Sequence, residues 1–239
     1  MVRVVHTDAG HRGTVSNNAH IDIYPDGGSK APSCLTKCIP YIYDLIPWDD
    51  CNHSRVEYLT SIDYQKFGVC QPVAYECENY ASFLRGKCGN YENNSFQSYA
   101  FDFQLSSLLP VPVTEDVSKK NRQFYVKTSA EAPFCVHHYQ IRLKSREHLV
   151  CNSLRISLLS KNYRVSVKVA KTDQTSMTAL LTLDWKTLNN PVRFVSAIIS
   201  NCASNCSNQI DLVLVDYMSN INKGSANTSH FEIIDKYLN

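Results

Sequence analysis

Apolar and polar positions divide the chain into two stretches of different character. Residues 2–5 form a short apolar run, and His20-Ile21-Asp22-Ile23-Tyr24 alternates, so each predicts a strand; Pro25-Asp26-Gly27-Gly28 ends the second as a turn. From Asn52 the period changes. Val56, Leu59 and Ile62 fall three apart and predict a helix, with Asp49 or Asp50 placed to cap or complement its start. Residues 67–120 are rich in Cys, Tyr, Asn and Ser without a clear period, which suggests a disulfide-stapled irregular region. Leu109-Pro110-Val111-Pro112-Val113 has the composition of a linker or edge segment. Beyond it come short alternating segments at 123–127, 139–143, 154–158, 164–169, 180–183, 192–199, 210–215 and 231–234, the pattern of an all-β sandwich. Arg164-Val165-Ser166-Val167-Lys168-Val169 alternates strictly, so one face packs and the other meets water. No internal repeat or low-complexity tract interrupts this plan. It predicts an α+β chain, with mixed α/β structure to about residue 66 and strands alone at the end.

Composition narrows the setting. With 239 residues the chain is long enough for one large domain or two modest ones, and the change of pattern favours two. A net charge of +2, with 19% charged residues, gives no strong overall field to hold nucleic acid or an anionic bilayer by charge alone. Ten cysteines, most outside the paired short spacings of metal ribbons, read as disulfides. Triplets Asn93-Asn94-Ser95, Asn205-Cys206-Ser207 and Asn227-Thr228-Ser229 fit N-glycosylation, so the expected setting is secreted and extracellular. Met1-Val2-Arg3-Val4-Val5-His6 has no apolar signal core and runs straight into a strand pattern, so the expected true start lies upstream. No apolar run approaches the roughly 20 residues of a membrane span, so no transmembrane segment is expected.

Three segments offer chemistry. Cys51-Asn52-His53-Ser54-Arg55 sets a histidine between a candidate disulfide and a helix, which would hold its imidazole rigidly enough for a general base. An ordinary surface or capping histidine fits the same residues. Asn52-His53-Ser54 is also formally a glycosylation triplet, and that use excludes catalysis. Gly27-Gly28-Ser29-Lys30-Ala31 imitates a nucleophile elbow, but Pro32 opposes the helix an elbow requires, so the segment reads as a turn. Cys34, Cys38, Cys51 and His53 could ligate zinc, although Cys51-x-His53 is tight for a finger and a disulfide from Cys51 to Cys34 or Cys38 explains the cysteines equally. The apolar loop before His53, with Tyr41, Tyr43 and Trp48, either packs on the core or meets lipid.

Taken in order, Val4-Val5-His6-Thr7-Asp8, then residues 20–28, then Cys51-Asn52-His53-Ser54-Arg55 resemble the pancreatic-type lipase family. Cys77-x10-Cys88 looks like a disulfide after the catalytic helix, and Gln123-Phe124-Tyr125-Val126-Lys127-Thr128 resembles the start of the family's lipid-associated β-sandwich, the PLAT domain. The resemblance implies the C-terminal part of an α/β-hydrolase domain over 1–120 and a PLAT-like sandwich over 121–239. It makes His53 the triad histidine, and Cys51 with Cys34 or Cys38 the disulfide bounding a lid that carries Tyr41, Tyr43 and Trp48. Its short loops go with phospholipase A1 or broad esterase behaviour. The serine elbow, the triad acid and the calcium loop of the family are expected upstream, so this chain alone is expected to turn over no lipid. The implied partner is a lipid or phospholipid substrate or surface, with a protein partner possible through the sandwich, no nucleic acid and no cofactor. The competing expectation is an inactive lipase relative that binds lipid or another protein.

Overall fold

The computed structural model describes residues 2–10, 13–29, 31–32, 34, 72–88, 98–100, 121–131, 134–145, 153–159, 164–171, 175–184, 196–200, 210–216 and 227–230. They fall into two units. The first takes 1–80 and 96–136, and the second takes 81–95 and 137–239.

The first unit is built on a five-stranded sheet of β1 (Arg3–Val5), β2 (Ile21–Pro25), β3 (Val73–Glu76), β4 (Ser98–Ala100) and β5 (Arg122–Val126), in the order β1-β2-β5-β3-β4. β1, β2 and β5 run parallel, while β3 is antiparallel to β5 and to β4. Alternation sorts the side chains of β2 and β5 between two faces. On one, Ile21, Ile23, Phe124 and Val126 join Ala74 in an apolar cluster against which Val5 packs. The other carries Asp22, Tyr24 and Tyr125. Every residue of β2 is buried, as expected for a parallel strand covered on both sides. At the end of the apolar face Arg122 lies 5.1 Å from the centroid of the Phe124 ring and makes a two-pronged pair with Glu76, at 3.0 Å from Nε and 2.9 Å from Nη2.

The strand at 123–127 has its expected place, but not its expected neighbours. Sequence alternation groups it with the sandwich strands; in the structure β5 lies between β2 and β3. A two-residue period identifies a strand and its faces, whereas its partner is fixed by contacts between segments far apart in sequence.

The second unit holds a seven-stranded sheet of β6 (Val136–Ser145), β7 (Ser153–Leu159), β8 (Arg164–Lys171), β9 (Ser176–Asp184), β10 (Ser196–Ser200), β11 (Ile210–Asp216) and β12 (Asn227–His230), in the order β10-β7-β8-β9-β6-β11-β12. Five of its neighbouring pairs are antiparallel: β10 with β7, β7 with β8, β8 with β9, β6 with β11, and β11 with β12. Strands expected at 139–143 and 180–183 are longer than the alternation indicated. The last expected strand, 231–234, lies outside the described residues, as does the helix expected from Asn52. Leu154, Ile156 and Leu158 of β7, Val169 of β8, and Met177, Leu181 and Leu183 of β9 are buried.

A short helix, α1 (Tyr80–Leu84), occurs where the sequence showed no period. It ends on Gly86, whose φ is +67°. Gly86 N–H donates to Phe83 O at 2.9 Å and Lys87 N–H to Ser82 O at 2.9 Å, the double closure of a left-handed helix end. The following segment is then bonded to the sheet of its own unit. Gln140 Nε2 donates to Gly86 O at 2.6 Å, and Thr178 Oγ1 donates to Arg85 O at 2.7 Å. A Cβ on Gly86 would stand 2.5 Å from Ala179 O, a backbone atom that cannot step aside. Gly86→Ala is therefore expected to lower stability by about 1–3 kcal/mol, read from urea unfolding; an unchanged midpoint contradicts the assigned backbone conformation.

Candidate functional site

In a sheet with parallel strands, the loops that leave the carboxyl ends are where chemistry gathers. Here His6, Thr7 and Asp8 leave β1, Asp26 leaves β2, and Lys127 and Thr128 leave β5. All three strands point the same way, so these residues collect along one edge of the sheet.

Two polar knots hold that edge. His6 Nε2 lies 2.7 Å from Asp22 Oδ1, and both residues are buried, at 2% and 0% exposure. Nδ1 of His6 is 2.9 Å from Thr14 O, a pure acceptor, so Nδ1 carries a proton. Nε2 and Oδ1 are joined by the second hydrogen bond of the ring. Asp22 Oδ2 accepts from Ala19 N–H at 3.2 Å, and His6 N–H donates to Ile23 O at 2.8 Å. The pair joins β1, the loop at 14–19 and β2. It has the form of a histidine oriented by a carboxylate, which in a hydrolase supplies the general base. In this case both ring nitrogens are committed inside the protein, so His6 has no nitrogen left for a substrate.

The second knot is centred on Asp26, which is buried and has φ +50°. Its Oδ1 accepts from Thr128 N–H at 3.2 Å and from Lys127 Nζ at 2.9 Å, and its Oδ2 accepts from Thr128 Oγ1. Lys127 Nζ also donates to Tyr80 OH at 3.2 Å. Burial alone would push the Lys127 ammonium down, but the Asp26 carboxylate and Tyr80 outweigh it and raise it above the ordinary lysine value. Lys127 is thus a fixed cation tied to Asp26, not a base. Gly27, at φ +76°, lets Tyr80 lie across the turn, since a Cβ there would meet the ring 2.5 Å away. Ser29, the elbow imitation, donates its hydroxyl to Asp26 O at 2.8 Å and closes this turn.

Between the knots stands a column of rings. His6 stacks on Tyr24 at 4.3 Å, Tyr24 on Tyr125 at 5.4 Å, and Tyr80 tilts against Tyr125 at 5.8 Å. Burial, then the Asp22 carboxylate, then Tyr125 push the Tyr24 hydroxyl up to about 12. Between pH 10 and 12 the unfolded chain gives up a phenolic proton that folded Tyr24 keeps, so stability falls as pH rises through that window. A tyrosinate absorbance titration of wild type against Tyr24→Phe should assign the difference to the upper end of the window; a difference centred near 10 contradicts the packing.

Of the residues singled out from sequence, Cys34, Cys77 and Cys88 are disulfide-bonded, and so is Cys135. An oxidised Cys34 is no longer available as a zinc thiolate. His53, Tyr41, Tyr43, Trp48, Cys38 and Cys51 lie outside the described residues. The structure therefore supplies the scaffold that leads into the candidate catalytic segment. The two knots were not legible in sequence, where His6 and Asp22 appeared only as strand and motif positions.

The sequence profile of the lipase family, described as "Lipase", matches residues 1–134, the stretch that holds both knots and His53. The chain belongs to the lipase family. Lipase relatives include phospholipase A1 member A of Rattus norvegicus, 25% identical over 171 residues, and that of Homo sapiens, 26% over 172. Hepatic triacylglycerol lipase of Mus musculus is 26% identical over 132 residues. The match to the rat protein covers 70% of this chain and 35% of the relative, so the chain spans about a third of that lipase. Among the described residues no helix is long and apolar enough to cross a membrane.

Proposed function

We propose that this chain is part of a secreted lipid ester hydrolase of the phospholipase A1 type, with His53 as the general base of a Ser-His-Asp triad. The supporting observation is the lipase profile over 1–134, which takes in His53 and the scaffold ahead of it. Phospholipase A1 member A among the relatives favours phospholipid over triacylglycerol, as the short loops do. Serine and aspartate come from residues outside this chain. The serine oxygen attacks the ester carbonyl while His53 takes its proton; His53 returns that proton to the leaving alkoxide, then activates water to release the fatty acid. Tyr41, Tyr43 and Trp48 form the lipid-contacting loop, bounded by Cys51 with Cys34 or Cys38, and the chemistry calls for no cofactor.

The first unit corresponds to the C-terminal part of an α/β-hydrolase domain, and the second to a PLAT-like β-sandwich that contacts lipid. Parallel β1, β2 and β5 support the former, and the antiparallel seven-stranded sheet supports the latter. Four disulfide-bonded cysteines among the described residues support an oxidising, extracellular setting. The substrate assignment is tested on the full secreted gene product with diacyl phospholipid and triacylglycerol. Release of the sn-1 fatty acid and a 2-acyl lysophospholipid supports it. Hydrolysis of triacylglycerol alone overturns the phospholipase assignment, and binding of both without release identifies an inactive relative.

A further inference from the structure

Parallel neighbours need a connection that returns from the carboxyl end of one strand to the amino end of the next, usually through a helix. Between β1 and β2, which are parallel, residues 13–19 make that return without one. A stretch with no ladder of its own takes its shape from the groups that tie its backbone down. At the carboxyl edge, Gly10 N–H donates to Gly13 O at 3.0 Å and Gly13 N–H to Asp8 O at 2.9 Å. Thr14 O then accepts from His6 Nδ1 at 2.9 Å, and at the far end Ala19 N–H donates to Asp22 Oδ2 at 3.2 Å.

The ties on Thr14 and Ala19 end on one unit. His6 Nε2 and Asp22 Oδ1 are 2.7 Å apart, both residues are buried, and the His6 ring stacks on Tyr24. A buried polar pair with both ring nitrogens and both carboxylate oxygens bonded resists rearrangement. It therefore fixes the two ends of the stretch from Thr14 to Ala19 together. The chain between them is open to water, with Thr14, Val15, Ser16 and Asn18 exposed. Ser16 N–H donates to Thr14 Oγ1 at 3.0 Å, which sets the bend around Val15. Val15 is 66% exposed and follows directly on the turn at the carboxyl edge, where the ligands of parallel sheets collect.

We propose that His6 and Asp22 are positioning residues: by tying Thr14 and Ala19 they hold Val15 against an acyl chain of the ester substrate. The proposal rests on the reading of this chain as part of a lipid ester hydrolase, and it gives that site an apolar contact with a buried pair behind it. The pair supplies geometry and not charge. Asp22→Asn keeps every bond, because the amide oxygen still accepts from Ala19 N–H and the amide N–H donates to His6 Nε2, while Nδ1–H stays on Thr14 O. His6→Phe/Asp22→Leu fills the same space and removes both ties. A segment that then keeps its working shape about a tenth of the time binds substrate about ten-fold more weakly.

The test compares wild type, Asp22→Asn, His6→Phe/Asp22→Leu and Val15→Asn in the full secreted gene product. Three quantities are read: amide hydrogen exchange over residues 13–19, urea unfolding, and kcat and KM on a monomeric short-chain diacyl phospholipid. Asp22→Asn is expected to keep both the protection of Ala19 N–H and the wild-type KM. The double variant is expected to lose that protection and to raise KM about ten-fold with kcat held, although its packing is filled. Val15→Asn, at an exposed position, is expected to raise KM about ten-fold with an unchanged unfolding midpoint. A wild-type KM in the double variant or in Val15→Asn overturns the proposal, since a pair that only stabilises the fold leaves substrate binding alone once its volume is filled. A raised KM in Asp22→Asn with protection retained overturns it in favour of a charge effect. No fatty-acid release by wild type removes the catalytic reading and the acyl contact with it, whereas release by wild type with an unmoved KM in the double variant removes the positioning role alone.

Discussion

Replacing Asp22 by alanine is expected to lower the stability of the chain by about 3–5 kcal/mol, the range for removing one member of a buried ion pair. The single substitution strands two groups and opens a cavity. The His6 imidazole loses the acceptor at 2.7 Å, Ala19 N–H loses Oδ2, and a cavity opens on a strand with every residue buried. Since His6 Nδ1 still donates to Thr14 O, the ring keeps a polar Nε2 in an apolar space with no partner. The sharper comparison is the double variant His6→Phe/Asp22→Leu, which removes both polar groups and fills the volume. It is expected to be more stable than Asp22→Ala alone, because the main cost is the unpaired group and not the absence of the pair. Urea unfolding of wild type, the single and the double variant measures this directly. A loss below about 1 kcal/mol for Asp22→Ala, or a double variant less stable than the single, would mean that the pair is solvent-relaxed and does not hold the edge of the sheet.

How much of this was legible in sequence depends on the distance over which each feature is decided. Strands β1, β2 and β5–β11 were legible from the local apolar and polar pattern, and β6, β7, β8, β9 and β11 reach beyond the expected bounds. The Pro25-Asp26-Gly27-Gly28 turn was legible for the same reason, since Gly27 and Gly28 supply the positive φ that it uses. Which sheet takes a strand was not legible: β5 alternates like its successors but pairs with β2 and β3. The helix Tyr80–Leu84 was hidden because five residues are too few to show a period, and Gly86, its left-handed stop, carries no helical signal of its own.

The candidate site divides in the same way. Cys34, Cys77 and Cys88 were expected as disulfide cysteines from the cysteine count together with the family resemblance, and they are bonded. The Asp26, Lys127 and Thr128 knot joins residues about 100 positions apart, so only the parallel register of β2 and β5 reveals it.

The second large effect is catalytic and falls on His53. A general base that takes the proton from a serine nucleophile is part of a unit that fails when any one member is removed, at a cost of roughly 10⁴-fold or more in rate. The decisive measurement is therefore fatty-acid release from diacyl phospholipid by the full secreted gene product, wild type against His53→Ala, with thermal unfolding of both recorded alongside. The assignment predicts a rate reduced by roughly 10⁴-fold or more with an unchanged melting transition; wild-type release by a well-folded His53→Ala variant would contradict it.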